Sequence, residues 1–155
     1  MDMKQKIMAG IVMAACTWAS AKNITSYNEL VTSLRAGTPV NMVVDVEKCH
    51  FANDEVDTWE QKTLGARFDQ IYERVGEEIE HGKKMRLVAT AHHDFVGRES
   101  AHLMRTVYRV FEDGTTEIIS QEIDPVSYKV LKNTFLFCRL SADSDAGVSL
   151  LTTDK

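Results

Sequence analysis

The chain has 155 residues, 44% of them hydrophobic and 26% charged, with a formal charge of −5. That length suits one domain with a real core and is short for two. The acidic balance, with Lys and Arg scattered among acids, argues against a nucleic-acid partner, because a phosphate backbone is held by clustered cations.

The first segment reads differently from the rest. Lys4 and Lys6 precede the apolar run Ile7-Met8-Ala9-Gly10-Ile11-Val12-Met13-Ala14-Ala15-Cys16, and Ala19-Ser20-Ala21 follows. Cations, apolar run and small-x-small site in that order predict a secretory signal peptide over residues 1–21, cleaved after Ala21. A membrane-spanning helix needs roughly 20 apolar residues, and this run ends well before that. Two rivals stand beside the leader. One is a buried N-terminal helix; the other is a lipoprotein box, Met13-Ala14-Ala15-Cys16, which would lipidate Cys16 but has Met where leucine is usual. Cleavage after Ala21 removes Lys4, Lys6 and Asp2 from 18 basic and 23 acidic residues, leaving a mature charge of −6. The expected destination is the periplasm or the exterior, as a secreted protein with no membrane insertion after cleavage. No amphipathic basic helix seeks an anionic membrane.

The next element is a helix. Ser26-Tyr27-Asn28-Glu29 fits a capping box; Tyr27, Leu30, Val31 and Leu34 follow at helical spacing, and Gly37 with Pro39 ends it. Val40 to Val46 is rich in β-branched residues and predicts a strand. Residues 50–62 are acidic without a period. Asn53, Asp54, Glu55 and Asp57 there have calcium-ligand chemistry but lack the glycine of an EF-hand loop, so a solvated loop is expected. Over 64–80, Leu64, Phe68, Ile71, Tyr72, Val75 and Ile79 follow a helical period.

The second half is strand-like. Lys84 to Phe95 and Ala101 to Phe111 precede Asp113-Gly114, which predicts a type I′ hairpin with Thr115 to Ile123 returning antiparallel. A two-residue loop would set Val110 opposite Glu117, Tyr108 opposite Ile119 and Thr106 opposite Gln121. Both faces of this hairpin carry apolar residues, which suits a sheet covered on both sides or curled on itself. Asp124-Pro125 breaks the strand, residues 126–131 form a short turn, and Thr134 to Leu140 is the last strand. The tail, 142–155, reads as flexible. The expected fold is mainly β: a single antiparallel sheet, strongly curled or barrel-like, with one N-terminal helix, in a single domain over 22–141. It becomes α+β if 64–80 is helical.

Of three cysteines, Cys16 leaves with the leader. Cys49 and Cys138 remain, an even pair in a chain bound for an oxidising compartment, and a disulfide between them is expected. It would close a loop of about 90 residues, worth on the order of 4–5 kcal/mol. The alternatives are two buried free thiols, or a nucleophilic Cys49 beside His50. Adjacent side chains of an extended segment point to opposite faces, which disfavours the second.

The order of several motifs resembles the VirK family: Leu30-Val31 with Leu34 and Gly37; Val43-Val44-Asp45-Val46-Glu47-Lys48-Cys49; Tyr108-Arg109-Val110-Phe111-Glu112-Asp113-Gly114; and Asp124-Pro125-Val126-Ser127-Tyr128-Lys129-Val130-Leu131 before Phe135 and Cys138. The family comprises small exported proteins without an established biochemical activity and is named for a bacterial virulence regulon. The resemblance implies pairing of a cysteine after the first strand with one near the last, matching Cys49 and Cys138. It also implies strand across Gly65 to Val75, against the helical period; we adopt strand for Ala66 to Val75 and keep a helix open for Arg74 to His81.

The chemistry centres on Ala89-Thr90-Ala91-His92-His93-Asp94-Phe95. On a strand, period two sends Met85, Leu87, Ala89, Ala91, His93 and Phe95 to one face and Arg86, Val88, Thr90, His92 and Asp94 to the other. His92 and His93 therefore cannot chelate one ion together. His93, on the apolar side, is expected at the core or its rim. His92 and Asp94 form an outward pair that would need His102 as a further metal ligand, and the β-turn register decides whether Asp94 faces His102. No Gly-x-Ser-x-Gly elbow surrounds Ser100 or Ser127, and no phosphate-cradling loop or dinucleotide fingerprint is present, so no cofactor is expected. Two functions follow: a non-enzymatic, virulence-associated or accessory domain binding a protein or small-molecule ligand, or a metal-assisted hydrolase using His92, Asp94 and His102.

Overall fold

The computed structural model describes residues 21–52, 62–68, 71–78, 84–96, 102–141, 143 and 145–153. The elements in chain order are β1 (Ala21–Ile24), α1 (Tyr27–Arg35), β2 (Val40–Asp45), a 3-10 turn (Val46–Lys48), β3 (His50–Phe51), β4 (Thr63–Arg67), β5 (Tyr72–Glu78), β6 (Lys84–Val96), β7 (His102–Phe111), β8 (Thr115–Ile123), β9 (Val130–Arg139) and β10 (Val148–Thr153). The leader with Cys16, and the acidic stretch 53–61, lie outside the described residues.

The helix forms as its sequence dictates, with one refinement. Ser26 is the N-cap, its Oγ accepting from the Glu29 N–H at 3.3 Å. The Glu29 carboxylate reaches back one residue further than a simple capping box, accepting from the Thr25 N–H (2.9 Å) and hydroxyl (3.2 Å). Those bonds hold its pKa below the usual carboxylate range. Gly37 adopts φ 71° and closes the helix, with Gly37 N–H donating to Leu34 O and Thr38 N–H to Ser33 O, the bonding of a left-handed C-terminal cap. Tyr27, Leu30 and Leu34 are buried.

The described strands form two antiparallel sheets, β1-β10-β2-β4 and β3-β9-β8-β7-β6-β5. The domain is mainly β with one helix, as expected, but the single curled or barrel-like sheet is not what forms. The four-stranded sheet covers one face of the six-stranded one, and neither closes on itself. Leu30 and Leu34 of α1, Met42 and Val44 of β2, Val148 and Leu150 of β10, and Val88, Val110, Ile118 and Leu136 of the larger sheet share one core. Cys49, just after the 3-10 turn, and Cys138 on β9 lie at disulfide distance, their Cα atoms 4.5 Å apart. Gly147 passes so close that a Cβ there would sit 2.8 Å from Cys49 Sγ.

The strand adopted for Ala66 to Val75 is found among the described residues: β4 pairs with β2 and β5 with β6, so tertiary pairing overrides the helical period, and Ile71 and Tyr72 are left exposed at 43% and 59%. Several other expectations are corrected. The Arg74 to His81 helix is absent over 74–78, which belong to β5. The β7–β8 register is one residue off: Val110 faces Thr116, Tyr108 faces Ile118 and Thr106 faces Ser120. Gly114 has positive φ (85°) and Asp113 does not, so Glu112-Asp113-Gly114 forms a three-residue loop with glycine in the left-handed position and not a type I′ turn. The one-residue shift moves every β8 side chain to the other face. Finally, the presumed flexible tail 142–155 contains β10, inserted between β1 and β2, where Val148 and Leu150 exchange solvent for the core; the domain therefore runs past residue 141.

Candidate functional site

The inward face of β6 is the one carrying Val88, Thr90, His92 and Asp94. Val88 and Thr90 are buried (2% and 1% exposed), His92 is half-buried and Asp94 exposed. On the face expected to be apolar and inward, Leu87 is buried, but His93 is exposed, neither core nor rim. The gradient along β6 has a simple cause: the covering sheet ends at its edge strand β4, and beyond that edge the inward face opens to solvent.

At this junction lies an open cleft of about 540 Å³, bounded by Asn41 and Met42 on β2, Gly65 to Arg67 on β4, His92 and Asp94 on β6, and Thr106 and Tyr108 on β7. As an edge strand, β4 has backbone groups that its own sheet cannot satisfy. One of them, the Arg67 carbonyl, accepts from His92 Nε2 at 2.9 Å and from the Thr90 hydroxyl at 3.5 Å. A carbonyl only accepts, so Nε2 carries a proton, and in the neutral ring the lone pair resides on Nδ1.

Tyr108 lies across from Thr90 in the β6–β7 ladder, its ring edge-on to the His92 imidazole with centroids 5.9 Å apart and planes at 77°. Burial, and then the Asp94 carboxylate, push the Tyr108 hydroxyl up to about 12. It therefore stays protonated and neutral across the physiological range, a hydrogen-bonding group and not a nucleophile. The cleft is thus lined by Tyr108, Asp94, His92 and Thr106, side chains that carry a hydroxyl, a carboxylate, an imidazole and a second hydroxyl.

The backbone register places the residues considered for a metal from sequence as follows. Asp94 stands opposite Met104, and His102 opposite Val96, so the direct Asp94–His102 pairing does not occur. Among the described residues no group of three or more His, Cys, Asp or Glu side chains gathers as a metal site. The Cys49–His50 dyad fails as well: Cys49 lies against Cys138, and His50 pairs in β3 with Phe137. Ser127 sits in the exposed turn after β8, its N–H bonded to Asp124 Oδ1 at 2.6 Å, while Ser100 lies outside the described residues. Sequence reasoning missed Tyr108, Thr106 and Arg67. The first two follow from the β6–β7 register, which sets His92 opposite Thr106; Arg67 arrives from the other sheet and has no local signal.

The fold and site define a two-sheet β domain with one helix and a polar cleft where the sheets part. Among the described residues no helix is long and apolar enough to cross a membrane. No protein-family model matches the sequence, and no curated protein matches it. Among solved structures, the chain is similar to the crystal structure of lpg1832, a VirK family protein from Legionella pneumophila, with a TM-score of 0.61 and 13% identity over 83% of this chain and 97% of that one. At that identity the likeness establishes the shared fold, in line with the family resemblance of the sequence.

Proposed function

We propose that this is an exported VirK-like binding domain without catalytic activity, whose cleft at the sheet junction takes a small polar ligand. On this reading the leader 1–21 is removed, the mature domain runs from residue 22 through β10, Cys49 and Cys138 are bridged, and the protein works in the periplasm or outside the cell in an accessory, virulence-associated role. The apolar run after Lys4 and Lys6, the disulfide-distance cysteines and the shared fold support export.

The observation that carries the binding reading is the set of hydrogen-bonding groups lining the cleft. His92 commits Nε2–H to the Arg67 carbonyl, which fixes its ring, and Tyr108 holds its proton to about 12. A hydroxyl kept neutral in this way recognises a ligand by hydrogen bonding. For the alternative, a metal-assisted hydrolase around His92, Asp94 and His102, no group of three metal-ligating side chains is found among the described residues.

A thermal-shift screen of the exported protein against small polar compounds tests the proposal. At a hundredfold excess over Kd a true ligand stabilises the fold by about 2.7 kcal/mol, and Tyr108→Phe and Asp94→Asn abolish that gain. Hits that stabilise both variants equally sink the cleft as the site, and a hit converted to product identifies an enzyme.

A further inference from the structure

The free edge of the covering sheet, β4, carries a hydrogen-bonding pattern that the chain leaves half used. In an antiparallel ladder, residue pairs alternate between those that exchange backbone hydrogen bonds and those whose N–H and C=O groups turn away. On β2 and β4 the bonds from Phe68 N–H to Val40 O and from Val46 N–H to Lys62 O, 3.0 Å each, fix that alternation. Leu64 and Ala66 are therefore bonded to Val44 and Met42, while Thr63, Gly65 and Arg67 aim their backbone groups at the open edge. The Arg67 carbonyl is met there by His92 Nε2, as this parity requires. The edge-facing groups of Thr63 and Gly65 have no partner among the described residues.

The other described edges are guarded, and this one is not. An unpaired edge invites another strand unless charge, proline, a bulge or brevity blunts it. β5 carries Glu73, Arg74, Glu77 and Glu78 and a bulge between Val75 and Glu77; β3 is two residues long, and β1 has four with Lys22 among them. β4 runs Thr63-Leu64-Gly65-Ala66-Arg67, with its one charge at the end and an unbroken register. A Cβ at Gly65 would meet nothing nearer than Met42 O at 4.0 Å, so packing within the chain does not call for glycine. Its bareness leaves Val43, directly opposite, 39% exposed on the outer surface. On the inner side the same edge borders the cleft, with Thr106 and Asp94 on the floor.

We propose that β4 receives an extended peptide as a fifth strand of the four-stranded sheet, with an aromatic side chain opposite Gly65 and polar neighbours facing the cleft. Such occupancy presupposes that the cleft binds, and it specifies the ligand as a strand of another polypeptide. A strand about 4.8 Å beyond β4 presents N–H and C=O groups at the same two-residue interval as Thr63 and Gly65, which a compact small molecule does not. Main-chain bonds then supply affinity, and alternate side chains supply selection. The residue paired with Gly65 sends its side chain to the outer surface, where an aromatic ring lies over the glycine and reaches Val43, the contact by which aromatic residues rescue edge glycines. Its two neighbours point inward above Thr106 and Asp94, where hydroxyl or amide side chains find partners. A second copy of the domain would bring its own six-stranded sheet with its β4; a single strand is the thinner fit to an edge that touches the larger sheet at Arg67.

The test is an NMR titration of the purified protein with the end-capped peptide Thr-Thr-Phe-Thr-Thr, with amide exchange as the readout. Binding slows exchange of the Gly65 amide most, with Thr63 next. N-methylation of the peptide at Phe removes the donor to the Gly65 carbonyl and weakens binding at least about tenfold. Replacing that Phe by Ala weakens it about fivefold, the share of one cross-strand aromatic contact. Gly65→Pro removes only an outward N–H, which an edge strand tolerates, and it too weakens binding at least about tenfold; the N-methylated peptide makes the same point on unaltered protein. Failure of millimolar peptide to slow Gly65 overturns the proposal, as does equal binding of the N-methylated form. Protection of Gly65 that grows with protein concentration and needs no peptide overturns it in favour of a second copy. A polar compound whose stabilising effect is lost in Tyr108→Phe, while Gly65 ignores the peptide, leaves the cleft standing and sinks the strand. Slowed Gly65 exchange that persists unchanged in Tyr108→Phe and Asp94→Asn keeps the strand and removes the cleft.

Discussion

The two sheets are assembled by opposite means. In the larger one, β5 to β9 lie side by side in the order of the chain, each antiparallel to the next. In the smaller one, neighbours come from far apart: Ala21 pairs with Thr153, Val148 with Val44, and Asn41 with Arg67. The larger sheet is written in turns and the smaller in burial. Turn signals such as Asp113-Gly114 and Asp124-Pro125 are read locally, whereas nothing in β10 announces that its partners lie more than a hundred residues away.

That contrast can be broken by experiment. The largest effect is expected from removing residues 148–155. This takes the strand out from between β1 and β2, and burial of Val148 and Leu150 with it, a loss upwards of about 5 kcal/mol, comparable with the whole stability of a domain. Hydrogen exchange should show protection lost from β1, β2 and β4 before β7 and β8. A truncated chain that melts like the full one would show that β10 contributes nothing. Next comes the bridge proposed between Cys49 and Cys138. Cys49 precedes β3 and Cys138 lies on β9, 89 residues apart, so reduction, or Ser at both positions, should lower stability by about 4–5 kcal/mol in denaturant titration. Thiols that alkylate freely in the unreduced protein would remove the bridge from the account.

The smallest effect lies at the junction of the sheets. Tyr108 has its pKa raised in the folded state to about 12 from an ordinary 10. The neutral form is favoured by folding, so this stability is fully present below pH 10 and is lost as pH rises through 12. On the order of 2–3 kcal/mol disappears across that window. Absorbance titration of tyrosinate should show one tyrosine ionising late, and Tyr108→Phe should remove that component. Simultaneous ionisation of all four tyrosines below pH 11 would refute the buried assignment.

The same division governs what could be read beforehand. Ser26, Glu29 and Gly37 marked the helix, and β2, β6, β7 and β8 were legible because caps, β-branched runs and turns act over a few residues. Their register was not. One residue in the Asp113-Gly114 loop, decided by whether Asp113 adopts positive φ, set which side of β8 meets the core. Period two separated His92 from His93 correctly, but which of them turned inward depended on where the second sheet lay. Over 64–80 the helical spacing of Leu64, Phe68 and Ile71 was real, and the strand partners β2 and β6 overrode it. Val148, Leu150 and Thr152 do alternate inward, in a segment too short to stand out from the Ser, Asp and Gly around it. In the cleft, the β6–β7 half was within reach of strand geometry, while the β4 half was not.

The place of β10 bears on how the protein is made. Its residues follow every other strand in the chain and yet lie in the interior of the four-stranded sheet, between β1 and β2. While the chain is still emerging from the ribosome, β1 and β2 lack the strand that joins them, and the shared core lacks Val148 and Leu150. The native fold cannot close until β10 has been made, so the pairing of the most distant segments is the step that completes the shared core.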